Sequence, residues 1–244
     1  MSGTTYPDSK PLPASARVGI GQVNLTDLAD RYGSDKGSTK HRYSELYQML
    51  FLPLRDKSLR FLEMGLQIGG PEMGESADRK TTDVPSIRMW LEYFPRAEIY
   101  GLDVSDFSWF EAPRFQFIRC DMDDRAKIAE AKDALPELDV ILDDASHASH
   151  HQQNAFLELF PKLTSGGLYI IEDLRWQPRP YEKPGITKTA ALFSEYAKTG
   201  VFTHSNPEVS AEFAKHRQDI SGVFMFQVRY DKKRRDQVAV IHKR

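Results

Sequence analysis

The 244-residue sequence predicts an α/β protein with a Rossmann-like, mostly parallel seven-stranded sheet. Short apolar runs alternate with segments of helical periodicity, which is typical of βαβ units with right-handed crossovers. Several of these runs end in an acidic residue, and the carboxyl edge of such a sheet is where α/β proteins bind ligands. The last two apolar runs, 223–230 and 237–242, flank a charged turn and predict a C-terminal antiparallel hairpin.

The N-terminal part is predicted to differ from the rest of the chain. Residues 1–20 are rich in Pro, Ser and Thr and are expected to form a flexible arm. Residues 21–56 are predicted to form a cap of two short helices. Tyr43 and Tyr47 share one face of the second helix, a spacing more typical of core residues than of ligand contacts. The polar loop between the helices, 33–37, is the better candidate for binding groups.

Residues 57–244 are predicted to form the α/β domain. Strands are expected at 59–64, 98–103, 115–121, 138–142 and 168–171, and helices at 86–94, 124–135, 150–163 and 187–198. The segment 165–167 is interpreted as the turn into the fifth strand. The polar segment 71–85 interrupts the first strand–turn–helix unit and is interpreted as a loop inserted over the carboxyl edge.

Composition limits the classes of function. A formal net charge of -2 with no concentrated basic face gives no case for nucleic-acid binding. No apolar run approaches the roughly 18 residues of a membrane span, and the N-terminus lacks the apolar core of a signal peptide. The single cysteine, Cys120, agrees with a reducing compartment and is expected to be a small buried residue. The protein is therefore expected to be cytoplasmic, with neither membrane nor nucleic acid as a partner.

Two predicted strands end in acidic motifs that favour a metal site. Asp143-Asp144-Ala145-Ser146-His147 follows the fourth strand, and Glu172-Asp173 follows the fifth. If these strands are neighbours, about 4.8 Å apart, Asp144, Glu172 and Asp173 can converge on one point. Three hard oxygen ligands suit Mg²⁺ or a similar divalent cation. The simpler alternative, that each acid caps the following helix, accounts for one acid better than for three.

His147, three residues after Asp144, is the best candidate for a general base beside this metal. The unperturbed pKa of histidine, about 6.5, suits proton abstraction at neutral pH. His150 and His151 are assigned to the start of the next helix. Asp143 is expected to point to the other face of the strand, as a group that supports the site or faces the substrate or cofactor. Zinc is disfavoured because the sequence has no thiolate cluster.

A second group of candidate residues lies at the first two strands. The first strand runs from Glu63 into a turn with Gly65 and Gly69, where doubly wound folds place their nucleotide-binding corner. The G-x-G-x-x-G spacing of dinucleotide sites is incomplete, which disfavours an NAD-dependent dehydrogenase. Glu63, two residues before the first glycine, is typical of methyl-donor sites. Asp103 ends the second strand, where an acid can hold both hydroxyls of a ribose.

Several motifs together resemble a known family. Glu63-Met64-Gly65 with Gly69, Gly101-Leu102-Asp103 and Cys120-Asp121 resemble successive landmarks of class I S-adenosylmethionine-dependent methyltransferases. The motifs at 32–37, 86–95, 143–147 and 171–173 are similar to those of the metal-dependent sugar O-methyltransferases of antibiotic biosynthesis, the macrocin and mycinamicin type. The resemblance covers about residue 25 to the C-terminus, and it implies a class I methyltransferase domain over 57–244.

This resemblance implies methyl transfer from S-adenosylmethionine to a sugar hydroxyl, with Mg²⁺ as the metal and S-adenosylhomocysteine as the product. The implied acceptor is a sugar or nucleotide sugar, such as TDP-rhamnose methylated at its 3′-position, and a homo-oligomer is expected. The resemblance implies that Asp144, Glu172 and Asp173 bind the metal and that His147, beside Asp144, is the catalytic base. It implies that Glu63 and Gly65 bind the methionine end of the cofactor, Asp103 its ribose and Asp121 its adenine. Gly69 and Asp143 are assigned to the cofactor as well. Gln67, where many methyltransferases have glycine, leaves the path of the glycine turn open.

Two alternatives are weighed against this interpretation. A cephalosporin-hydroxylase-like relative shares the scaffold, and a donor-binding module without catalysis would share the fold alone. The intact His147 beside three candidate ligands argues against the second alternative.

Overall fold

The computed structural model describes residues 23–229 and 235–244 of the chain. The predicted flexible arm, 1–20, and most of the predicted charged turn lie outside these residues. Among the helices that are described, none combines the length and the apolar character that a membrane crossing requires.

The strands, in chain order, are β1 (Arg60–Met64), β2 (Glu98–Asp103), β3 (Phe115–Arg119), β4 (Leu138–Asp143), β5 (Leu163–Ile171), β6 (Ile220–Arg229) and β7 (Arg235–Lys243). They form one seven-stranded sheet in the order β3-β2-β1-β4-β5-β7-β6. Neighbouring strands from β1 to β5 are parallel, whereas β7 runs antiparallel to both β5 and β6. The predicted Rossmann-like, mostly parallel sheet with a C-terminal antiparallel hairpin is confirmed. Because β4 and β5 are neighbours, the two acidic motifs meet at the same edge.

The α-helices are α1 (Leu25–Tyr32), α2 (Tyr43–Phe51), α3 (Pro85–Tyr93), α4 (Arg125–Ala134), α5 (Ser149–Leu159), α6 (Thr189–Thr199) and α7 (Pro207–Lys215). Helix α7 was not predicted from the sequence. Its start is nevertheless encoded locally, since the Asn206 side chain accepts a hydrogen bond from Glu208 N and Pro207 occupies the first turn.

The start of β5 also differs from the prediction. The strand begins at Leu163, earlier than the predicted start at 168, and the segment 165–167 belongs to it rather than forming a turn. The pairing with β4 shifts register between Leu138 and Val140, and Gly166 has a φ of +80°. A strand irregularity at glycine therefore replaces the expected turn.

Each face of the sheet is covered by an apolar core. On one face, Phe156 of α5 stacks on Phe213 of α7 with ring centroids 5.4 Å apart, and Cys120 is buried in the same cluster, as predicted. On the other face, Phe61 of β1 and Trp90 of α3 have ring centroids 4.9 Å apart. The helices α1 and α2 contribute to this second core, so the N-terminal helices pack directly against the sheet.

The ends of β1 and β4 approach each other closely at the carboxyl edge. Gly65, directly after β1, has a left-handed φ of +84°, and a β-carbon there would lie 2.1 Å from the carbonyl oxygen of Asp144. The amide of Asp144 donates to the carbonyl of Met64 at 2.9 Å, and the amide of Gly65 donates to that of Leu102 at 2.8 Å. Glycine is therefore needed at position 65 for the acidic motif after β4 to reach its place.

Replacing Gly65 with alanine is expected to destabilise the protein by more than the roughly 1–2 kcal/mol that a left-handed backbone costs an ordinary residue, because the new β-carbon also collides with backbone. Gly166→Ala is the matched control, since its φ is +80° and nothing lies within 4 Å of its β-carbon. Urea unfolding of the two variants measures the difference. Equal losses of unfolding free energy would contradict the steric role of Gly65.

Candidate active site

A cavity of about 1030 Å³ opens at the carboxyl edge of the sheet. This volume lies at the upper end of the range for small-molecule sites, about 300–1,000 Å³. Most of the predicted site residues line it, namely Gly65, Gly69, Asp103, Asp121, Asp144, His147 and Asp173. The remaining ones, Glu63, Asp143 and Glu172, are buried and do not line it.

His147 lies between two of the predicted metal ligands. Its Nδ1 is 4.0 Å from Asp144 Oδ1, and its Nε2 is 3.7 Å from Asp173 Oδ2. One ligand atom from each of these three residues can be chosen so that all lie within 4.8 Å of one another. The buried Nδ1 of His147 has no hydrogen-bond partner. The structure therefore brings the predicted base and two predicted ligands together, at distances too long for direct hydrogen bonds.

His147 and Asp173 both have left-handed backbone conformations, with φ of 61° and 51°. A residue other than glycine in this region typically costs about 1–3 kcal/mol, and such residues cluster at functional sites. In each case the residue follows the end of a strand by a few positions, so the turn directs its side chain into the cavity.

The ammonium group of Lys36 is buried among three carboxylates. Its Nζ donates a short hydrogen bond to Asp144 Oδ2, lies 3.1 Å from Glu172 Oε2 and lies 3.5 Å from Glu63 Oε1. Burial alone would lower the pKa of Lys36, but the surrounding negative charges outweigh it and hold this pKa well above the usual value. The loop 33–37 was singled out from the sequence as a binding loop, but no role was assigned to Lys36 itself.

Glu172 is bound from two sides. Its Oε1 accepts a short hydrogen bond from the Tyr47 hydroxyl, and its Oε2 contacts Lys36. Burial, followed by the charge of Asp144, raises its pKa well above the usual range. Lys36 therefore links the carboxylates of Glu172 and Asp144. Glu172 is not part of the group formed by Asp144, His147 and Asp173.

Asp173 is held by residues that the sequence did not assign to the site. Its Oδ1 accepts a hydrogen bond from the Tyr43 hydroxyl at 2.7 Å and lies 3.5 Å from His41 Nδ1. Burial would raise the pKa of Asp173, but the charge of His147 and a hydrogen bond from Asp236 lower it to about 2. Asp236, on β7, has a pKa raised to about 7 by burial and by its bond to Asp173.

The prediction that Tyr43 and Tyr47 are core residues is therefore incomplete. Both rings are fully buried in the core shared by α2 and the sheet. Their hydroxyl groups, however, bond Asp173 and Glu172. Each tyrosine therefore packs in the core through its ring and orients an acidic residue of the site through its hydroxyl group.

Glu63 is bound to α3 rather than to the cavity. Its Oε2 accepts hydrogen bonds from Ser86 Oγ at 2.8 Å and Trp90 Nε1 at 3.2 Å. Burial raises its pKa to about 7, against the lowering effect of Lys36. The carboxylate therefore supports the wall of the cavity from behind.

Another part of the cavity wall contains Asp103 and Asp121. Asp103 accepts hydrogen bonds from the amides of Leu66 at 2.8 Å and Ser105 at 2.7 Å. Burial raises the pKa of Asp103 to about 6, although these two amides lower it. Asp121 is exposed and accepts a hydrogen bond from the amide of Asp123 at 3.0 Å. Two acids at the ends of adjacent strands are thus available to polar groups of a ligand.

The inserted segment 71–85 forms part of the cavity wall. Arg79 Nη2 donates to the carbonyl of Gln67 at 2.8 Å, and Thr81 Oγ1 donates to the carbonyl of Asp106 at 2.5 Å. These bonds attach the segment to the turn after β1 and to the loop after β2. Exposed Met73 from this segment and exposed Trp176 from the loop after β5 also line the cavity.

The chain is similar to curated O-methyltransferases. The chain is 39% identical over 151 residues to the 8-demethyl-8-alpha-L-rhamnosyl tetracenomycin-C 2′-O-methyltransferase of Streptomyces olivaceus, which covers 62% of this chain and 38% of that protein. It is 34% identical over 162 residues to the mycinamicin VI 2″-O-methyltransferase of Micromonospora griseorubida, covering 65% of this chain and 38% of that protein. The chain thus spans well under half the length of these curated relatives. No protein-family model matches the chain.

Among solved structures, the chain is similar to the MycE methyltransferase from the mycinamycin biosynthetic pathway, which was solved in complex with Mg, SAH and mycinamycin VI. The TM-score is 0.67 at 27% sequence identity, and the similarity covers 92% of this chain and 56% of that one. The fold is therefore a Rossmann-like methyltransferase fold, as the resemblance of the motifs implied.

Replacing Lys36 with methionine is expected to destabilise the metal-free protein by about 3–5 kcal/mol near neutral pH, the range for removing one partner of a buried ion pair. The loss should shrink at lower pH, because protonation of the three carboxylates removes their uncompensated charge. Chemical unfolding at neutral and acidic pH measures both effects. Lys127→Met, at an exposed position of α4, is the control and should change stability by less than about 0.5 kcal/mol. A Lys36→Met protein with a loss as small as the control would refute the role of this lysine.

The buried carboxyl group of Asp143 is expected to make the stability of the protein depend on pH. Burial raises its pKa to about 7, against the amide of Ala145 and the charge of His147, and its Oδ2 has no partner. Since the folded pKa exceeds the unfolded value of about 3.9, the carboxyl contributes stability at low pH that is lost as the pH rises toward 7.

In Asp143→Asn, the unfolding free energy is therefore expected to fall less steeply between about pH 4 and 7 than in the parent protein. Above that range the variant should be more stable than the parent by on the order of a few kcal/mol. Unfolding curves across this pH range provide the measurement. Asp133→Asn, at an exposed position of α4, should keep the parental slope. A parental slope in Asp143→Asn as well would show that Asp143 does not titrate in this way.

Proposed function

We propose that the protein transfers a methyl group from S-adenosylmethionine to a sugar hydroxyl in natural-product biosynthesis. The observation that carries this proposal is the cavity at the carboxyl edge, in which His147 lies between Asp144 and Asp173 while Gly65 and Asp103 line another part of the wall, where we place the donor. A base, acidic ligands and a donor pocket in one cavity are what the reaction needs. The curated relatives named above are sugar O-methyltransferases, which supports the same activity for this chain.

We infer that Asp144, Glu172 and Asp173 would hold a divalent cation such as Mg²⁺. Asp144 and Asp173 fit this role, because both follow neighbouring strands, line the cavity and offer the carboxylate oxygens that hard cations prefer. Asp144 and Asp173 both reach the group around His147. Glu172 is bonded to Tyr47 and Lys36, but a carboxylate oxygen has more than one lone pair to offer. When bound, the cation would supply Lewis acidity that makes an adjacent hydroxyl a better nucleophile.

His147 is the general base in this proposal. Its imidazole would accept the hydroxyl proton as the oxygen attacks the donor, which when bound supplies an electrophilic methyl group. Asp173 Oδ2, 3.7 Å from Nε2, would stabilise the imidazolium that results. Asp173 can do so because its own pKa stays at about 2 and it remains ionised.

The chain's remaining contribution is positioning. Gly65 lets the backbone of β1 pass close to Asp144, and Asp103 offers its carboxylate to the ribose of the donor. Holding a donor and an acceptor at reacting distance supplies much of the acceleration of a methyl transfer. The tyrosines of α2 fix the two acids that follow β5 from behind the cavity.

The acceptor is proposed at two levels of detail. The broader proposal is a sugar hydroxyl, either on a nucleotide sugar or on a sugar already attached to an aglycone. The narrower one, which rests on the resemblance of the motifs, is the 3′-hydroxyl of a TDP-deoxysugar such as TDP-rhamnose, as in the calicheamicin pathway. Trp176, with its ring centroid 5.4 Å from that of His147, is positioned to pack on the face of a sugar ring.

His147→Ala is expected to keep binding of S-adenosylhomocysteine and to lose about 10²–10⁴-fold in turnover, the contribution typical of a general base. Isothermal titration measures binding, and label transfer from S-adenosylmethionine to nucleotide sugars and glycosylated acceptors measures turnover. The exposed-site variant Lys127→Met is the control. Full activity of His147→Ala would dismiss the base, and label transfer that survives EDTA would dismiss the metal while keeping the methyltransferase. Donor binding without label transfer to any acceptor would favour the non-catalytic module.

A further inference from the structure

We propose that Asp123, His150 and His151 form a second cation site, suited to Zn²⁺ or a similar transition metal, outside the cluster around His147. Asp123 lies in the loop between β3 and α4, and the two histidines lie in the first turn of α5. The Asp123 Oδ1 atom is 3.1 Å from the Nε2 atom of each histidine. One ligand atom from each residue lies within 4.8 Å of the others.

The spacing of these atoms suits a small tetrahedral ion. Ligands about 2.0–2.1 Å from a tetrahedral zinc are separated from one another by roughly 3.3 Å, close to the 3.1 Å that separates the carboxylate oxygen from each imidazole nitrogen. The Nε2 of His151 makes no hydrogen bond despite this short distance. His150 Nε2 makes a hydrogen-bond contact with the same Asp123 oxygen at 3.1 Å, whereas Nε2 of the buried His151 is left without a partner. A cation bound by all three residues would give this nitrogen a partner.

The burial of the ligands also suits a metal. Both histidines are buried, and neutral imidazole is the form that binds metals. The side chain of Asp123 is 52% exposed, so the site has an entry path and room for water as a fourth ligand.

The surroundings of His151 provide the orienting bond that metal-bound imidazoles usually have. Its Nδ1 is 2.6 Å from Ser146 Oγ, so an N–H at Nδ1 would donate to this oxygen while Nε2 bound the ion. Ser146 directly precedes His147, and both line the cavity. An ion at this position would therefore fasten three segments that build one wall of the cavity: the loop after β3, the start of α5 and the turn that carries His147.

The ligand chemistry separates this site from the proposed Mg²⁺ site. Two imidazole nitrogens and one carboxylate favour Zn²⁺ or Co²⁺, whereas a set of carboxylate oxygens favours Mg²⁺. The simpler explanation of the cluster is that Asp123 only forms polar contacts with two neutral imidazoles. The two explanations predict different results when metal is added.

The experiment is a titration of metal-stripped, full-length protein with Co²⁺, read from the visible absorption bands of tetrahedral cobalt, and with Zn²⁺, read by calorimetry. Asp144→Asn/Asp173→Asn is the background, so that the cluster around His147 does not contribute. We expect one equivalent to bind with tetrahedral bands and to raise the melting temperature. Asp123→Asn should weaken this binding by at least about tenfold, a loss typical even of outer residues at metal sites. Asp133→Asn, at an exposed position of α4, should leave it unchanged.

Absence of saturable binding in this background would overturn the proposal, and so would binding that Asp123→Asn leaves intact. If the double variant does not fold, the comparison is made between the parent protein and its Asp123→Asn variant. X-ray absorption of the zinc-loaded parent then supplies the second measurement. A zinc shell with two imidazoles that is lost in Asp123→Asn supports the site, and a shell unchanged by this substitution refutes it. Neither outcome depends on methyl transfer, so the test stands apart from the proposed function.

Discussion

The buried ammonium group of Lys36 is what allows the acids of the candidate site to lie close together. Glu63, Asp144 and Glu172 come from three adjacent strands, and without a cation between them their charges would repel and lose hydration at high cost. The lysine belongs to a loop held by the helices α1 and α2, where the amide of Ser44 donates to its carbonyl at 2.9 Å. The N-terminal helices are therefore part of the site's electrostatics as well as of the core.

Most of the fold could be predicted from the sequence because it follows local patterns. Short apolar runs alternate with segments of helical periodicity, which indicates a parallel sheet. Two apolar segments on either side of a charged turn indicate the hairpin. The early start of β5 could not be predicted, because Ser165-Gly166-Gly167 has the composition of a turn. The strand extends back to Leu163 only through a register shift in its pairing with β4, between Leu138 and Val140. Helix α7 was not predicted because it has few apolar residues to show helical periodicity, although the residues that cap its start are visible in the sequence.

The candidate site was predictable where acids follow strand ends. Asp144, His147 and Asp173 were named from motifs, and the structure brings them together. Lys36, Tyr43 and Asp236 were not, because each acts across the fold on a residue far away in the chain. A lysine in a polar loop has no periodicity that marks it as buried. The sequence spacing of Tyr43 reflects only the burial of its ring and not the contact of its hydroxyl group. Asp236 lies in a charged segment, where an acidic residue is usually expected to be solvent-exposed.

The hydrogen bond between Asp236 and Asp173 has a consequence for the order in which the molecule becomes complete. Lys36 is contributed from near one end of the described chain and Asp236 from near the other, so the four neighbouring strands β1, β4, β5 and β7 must be placed before the acids are fully partnered. Parallel pairing across long separations is slow to form. A partly folded form could keep much of its secondary structure while its cluster of acids lacked these partners. The complete set of partners around the acids would then form only after these four strands have paired.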